Sequence, residues 1–132
     1  MRVKIGMLVA GVVLLLSGTR MFAHHSTAAE FEEEKNITVK GTVSKVEWQN
    51  PHARFYVDVV GDNKAVTTWS FELASPNSLS RGGWGRHTLN IGDMVTATGA
   101  PARSGKPMAV THSVVTSAGK KLFTGTMGIA DK

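Results

Sequence analysis

The chain has no cysteine. Disulfides therefore play no part in its stability, and thiol catalysis is excluded. Aromatic residues are few: three tryptophans, five phenylalanines and the single tyrosine Tyr56. One tyrosine is thin for stacking bases, which argues against a nucleic-acid partner. A strong excess of one charge is also missing. The chain carries 15 basic and 10 acidic residues, but Arg2, Lys4 and Arg20 precede residue 24. What remains is 12 against 10, a net of +2, too even for a polyanion binder. There are no internal repeats and no low-complexity segment. With 132 residues there is room for one domain and not two.

Only one long apolar run is present, and it sits at the front. Arg2 and Lys4 precede Ile5–Leu16, twelve uncharged and mostly apolar residues, and a more polar tail leads to Ala23. This order predicts a secretory signal peptide over 1–23 and a periplasmic or secreted product with no stable membrane anchor. The run is short for a bilayer span, so an uncleaved anchor is the lesser alternative. Cleavage after Ala28, with Ser26 three residues back, competes with cleavage after Ala23. Beyond the leader we expect an arm over 24–36, a barrel domain over 37–125 and a tail over 126–132. The arm has no clear period and reads as a solvated tether.

The stretch from Val39 to His52 organises the domain. Val39, Gly41 and Val43 share one parity, whereas Val46 and Trp48 share the other. A strand alternates faces with period two, so burying both sets needs a phase slip. A bulge near Ser44-Lys45 supplies it, and Gly41 lets the backbone bend. Asn50-Pro51 stops the strand. A second strand follows from Ala53 to Val60, then the turn Gly61–Lys64 and a third strand from Val66 to Leu73. Setting Phe55 against Phe71 and Val57 against Trp69 joins the apolar faces. The same register puts Arg54 opposite Glu72 and Asp58 opposite Thr68 on the outer face.

Ser75-Pro76 predicts a helix start, with serine as N-cap and proline in the first turn, and Gly82-Gly83 ends it. Trp84 is expected to plug one end of the barrel. A fourth strand is expected over Met94–Thr98, a loop over Gly99–Pro107, a fifth strand over Met108–Val115 and a short hairpin arm over Gly119–Thr124. This order predicts an all-β fold, a small five-stranded OB-like barrel with one short helix between strands three and four. An open antiparallel sheet with one packed helix is the alternative.

All five histidines follow the leader. If cleavage leaves His24 first, its free amine and ring Nδ1 can chelate one metal, and His25 adds an imidazole. Nitrogen ligands in a tetragonal array suit copper(II). His52, just past the Asn50-Pro51 corner, is the third candidate ligand. Met94, Met108 and His112, with Trp48 nearby, form a softer set that suits copper(I). Methionine in a strand is more often core filler. The second candidate surface is a ligand face of Arg54, Tyr56 and Glu72, for which Arg54–Glu72 as a plain ion pair is the bland alternative. Glu47 and Glu72 lack the nucleophile or metal motif of an acid/base pair, so no enzyme is expected. Arg81–His87 lacks the lysine and following helix of a phosphate loop.

The motifs His24-His25-Ser26, Ala29-Glu30-Phe31, Val46–His52, Phe71-Glu72-Leu73, Ser75-Pro76-Asn77, Gly83-Trp84 and Gly92-Asp93 occur in a specific order. In this the chain resembles an uncharacterised family of small secreted proteobacterial proteins. The resemblance covers nearly all of the chain after the leader. It implies a secreted single domain and supplies no activity. In topology the chain also resembles the periplasmic bacterial OB-fold proteins, a likeness that transfers no function. Two readings follow: a binding module for copper through His24, His25 and His52, or an adaptor for an unknown periplasmic ligand or protein with no metal.

Overall fold

The bent first strand is the spine of the structure. In the computed structural model, which describes residues 27–122, β1 runs over Ile37–Glu47. It pairs antiparallel with β2 (Arg54–Val60) on one side and β4 (Met94–Pro101) on the other. The register against β2 slips between Val43 and Lys45, leaving Ser44 as the extra residue. Val43 therefore faces Val57 while Val46 faces Phe55, and both parities point inward. Trp48 lies just beyond the strand and packs half-buried against the core. Glycine at 41 is required by proximity, because a Cβ there would sit 2.2 Å from the Asp58 carbonyl oxygen.

β2 pairs with β3 (Val66–Glu72) in the expected register, with Phe55 opposite Phe71, Val57 opposite Trp69 and Arg54 opposite Glu72. The two phenylalanine rings stack at 5.2 Å, and Trp69 tilts against Phe71 at 6.3 Å. Phe55, Val57 and Phe71 are fully buried, whereas Trp69 is half-buried at the margin. β5 (Met108–Thr116) pairs antiparallel with β4 and parallel with β3 through Ser70–Glu72. That parallel pairing closes the sheet into a five-stranded OB-like barrel, and β6 (Lys121–Leu122) adds a short sixth strand to β5.

α2 (Pro76–Arg81) joins β3 to β4. The Ser75 hydroxyl accepts from the Ser78 N–H, and Gly82 caps the other end. Leu79 points into the core, and Trp84, whose N–H donates to the Leu79 carbonyl at 3.0 Å, is buried with it.

Two expectations are corrected. The fourth strand does not stop at Thr98 but continues to Pro101 through a register shift at Thr98/Gly99. Gly99 permits this, since a Cβ there would lie 2.1 Å from the Val110 carbonyl oxygen. The arm is also no loose tether in its described part. After one helical turn, α1 (Thr27–Glu30), Phe31 bridges to Ala102 and is buried against Ala100, Ala102, Met108 and Val110. Glu32 N–H donates to the Pro101 carbonyl, Arg103 N–H to Glu30, and Arg103 Nε–H to Ala28. The uneven run Glu30–Lys35 carries one apolar residue, too few to register as a period. The leader, His24, His25, the end of the expected hairpin arm from residue 123 and the expected tail over 126–132 lie outside the described residues. Among the described residues no helix is long and apolar enough to cross a membrane.

Candidate functional site

His52 follows the cis Asn50–Pro51 bond in the corner between β1 and β2. Its place is set by the residue after it. Ala53 N–H donates to the Ala74 carbonyl at 3.0 Å, and Leu73 N–H donates to the Ala53 carbonyl at 2.9 Å. These bonds extend the β2–β3 ladder past its ends and hold the corner over Glu72. His52 Nδ1 donates to Glu72 Oε1, and Arg54 Nη2 reaches Glu72 Oε2 at 3.5 Å. The Glu72 backbone is fixed from the other side, where the Thr111 hydroxyl donates to its carbonyl at 2.7 Å. The carboxylate thus sits at the β3–β5 seam with its side chain only 14% exposed, against 25% for His52 and 42% for Arg54.

The expected Arg54–Glu72 cross-strand pair is present, and His52 is a second partner of the same carboxylate. The register is as expected, yet the closer partner of Glu72 is His52. With Nδ1 committed, His52 Nε2 has no hydrogen-bond partner among the described residues.

A second cluster continues the strip across the outer face. The β1 bulge turns Lys45 and Glu47 outward, opposite Tyr56 and Arg54. Lys45 pairs with Glu47, the Tyr56 hydroxyl donates to Glu47 Oε2 at 3.1 Å, and the Lys45 ammonium lies 5.1 Å from the Tyr56 ring centre. The hydrogen bond from Lys45 holds the Glu47 carboxyl below its usual range; the Tyr56 hydroxyl and the Lys45 and Arg54 charges act the same way, against slight burial. Glu47 in turn raises Lys45. Lys45 was missed as a site residue because it sits in the bulge. Only the phase slip itself signals which way it points.

The softer methionine set is not assembled. Met94 opens β4 and Met108 opens β5, and the antiparallel register places them at opposite ends of that pair. Met94 is exposed, and Met108 packs beside Phe31. His112 Nδ1 donates to Asn36 Oδ1 at 2.7 Å. Among the described residues no three side chains of histidine, aspartate or glutamate stand close enough to hold a metal ion. Of the three candidate histidines, His52 alone lies in the described region.

A closed barrel of this strand order, with a helix between β3 and β4, defines a small OB-like domain. The model of a family of unknown function, DUF6152, matches residues 12–111, and the chain belongs to that family. No curated protein and no solved structure matches it.

Proposed function

We propose that the chain is an exported binding module whose ligand is a copper ion, chelated by His24 and His25 at a mature N-terminus, with His52 as the ligand supplied by the barrel. The observation that carries this reading is the His52–Glu72 hydrogen bond. Metal-binding histidines commonly donate their second ring N–H to a carboxylate, which fixes the tautomer and the ring's aim. A histidine held in this way at Nδ1 offers the lone pair of Nε2 to a ligand. Arg54 on the other carboxylate oxygen holds Glu72 in place.

The test is a competitive Cu(II) titration of three proteins: one starting at His24, one with a glycine added before it, and His52→Ala. The added glycine should break the terminal chelate ring and weaken binding sharply, and His52→Ala should weaken it less. Affinity should fall steadily between pH of about 8 and 5, as the amine and imidazoles take up protons. Equal affinity of the native and extended forms would refute the site.

The second reading is a metal-free adaptor for a periplasmic ligand or protein. It is favoured by the continuous strip of Lys45, Tyr56, Arg54 and Glu72, which offers paired charges and one aromatic ring on the outer face.

A further inference from the structure

β2 covers one side of β3 along its whole length, from Val66 to Glu72. On the other side β5 pairs with it only over Ser70–Glu72. The covered part fixes how the uncovered part is turned. Ser70 N–H donates to the Pro107 carbonyl at 2.9 Å, so Ser70 directs its backbone polar groups away from β2. Residues of a paired strand alternate in this respect, so Thr68 and Val66 direct theirs the same way. On that side the N–H and C=O of Val66 and Thr68 have no partner among the described residues. Val66 is 58% exposed, and Thr67 and Thr68 are exposed with it.

Open strand edges are ordinarily blunted by a charge, a proline or a bulge. This edge has none of them. Ala65–Phe71 carries no charge and no proline, its register against β2 runs without a shift, and valine, threonine and tryptophan are strong strand formers. Val60, opposite Val66 in the hairpin, is 67% exposed and adds apolar surface beside the edge. An edge of this kind is completed by an added strand. It fits a copy of itself. About a twofold axis through Thr67, Val66 of one protomer meets Thr68 of the other, and each outward N–H faces a C=O. No charge falls within the paired stretch, and residues 24–132 carry a net of only +2, so neither local nor overall charge opposes association.

We propose that the Val66–Thr68 edge of β3 is a self-association surface, through which two copies of the chain join their sheets antiparallel. This surface is independent of the copper reading. The test is sedimentation velocity of the mature protein over a concentration series, with EDTA present so that no metal bridges two copies. The sedimentation coefficient should rise with concentration toward that of a dimer. Thr68→Pro removes an N–H that the monomer does not use, and Val66→Lys places like charges about the axis. Each should weaken association at least about tenfold while keeping the parent's far-UV circular dichroism. Val66→Lys, at an exposed position, decides the matter if the proline variant does not fold. Hydrogen exchange at the Val66 and Thr68 amides should slow as concentration rises. A monomer up to about 1 mM, or a dimer that Val66→Lys leaves intact, would overturn the proposal. So would protection of those amides already in the dilute monomer, which would mean that another segment of the chain covers the edge.

Discussion

Replacing Phe31 with alanine tests whether the arm belongs to the folded domain. The side chain is 1% exposed, packed on Ala100, Ala102, Met108 and Val110. Burial of a phenylalanine is worth about 1.5–3 kcal/mol in transfer free energy, and a rigid core adds a cavity term that brings truncation to about 3–5 kcal/mol. Here one wall of the cavity is the arm itself, which can move away, so the lower end applies. Three hydrogen bonds, from Glu32 to Pro101 and from Arg103 to Glu30 and Ala28, would exchange with water at about 1 kcal/mol or less each. We therefore expect a loss of about 2–3 kcal/mol. Urea unfolding followed by tryptophan fluorescence would read this as a midpoint lowered by about 1–2 M, with little change in slope. Trypsin should then cut at Lys35 much faster than in the parent. A loss under about 0.5 kcal/mol with unchanged cleavage would mean that Phe31 is solvated.

Gly41→Ala should destabilise by about 3 kcal/mol or more, because its Cβ meets the Asp58 backbone first and the buried Val57 side chain next; parent-like thermal stability would refute the close approach of β1 and β2. The Glu47 carboxyl is lowered by its bond from Lys45, so its contribution to stability is present above the ordinary glutamate value of about 4.3 and is lost as pH falls through the folded value. Glu47→Gln should therefore flatten the dependence of unfolding free energy on pH between about 5 and 3, and an unchanged slope would count against the Lys45–Glu47–Tyr56 cluster.

Much of the barrel was legible because alternation is strict where both faces have a fate. Phe55, Val57, Trp69 and Phe71 admit one sensible register, and the parity change between Val43 and Val46 marks the bulge without any turn residue. The helix was legible from Ser75-Pro76 at one end and Gly82-Gly83 at the other. What escaped was non-local. Gly99 and Pro101 read as loop residues, yet Gly99 is the close approach that lets β4 bend and continue. Phe31 carries no period by itself, and its pocket is made by residues 69 to 79 positions away. The candidate site divides along the same line. His52, Arg54 and Glu72 could be placed on one face from the register, but the pairing of His52 with Glu72 depends on the corner after Pro51, where no periodicity operates. The parallel closure of β3 on β5 has no sequence signal either, and it is what narrows the surroundings of Glu72.

The proposed copper site begins at the N-terminus and is completed by His52, pinned through Nδ1 by Glu72. It is tested most directly by adding substoichiometric Cu(II) to the mature protein and following the imidazole resonances of His52, His87 and His112. Paramagnetic broadening should remove the His52 signals first and leave those of His87 and His112, and Glu72→Gln should weaken that selectivity. Persistence of the His52 signals at a full equivalent of Cu(II), or equal loss of all three, would contradict the account.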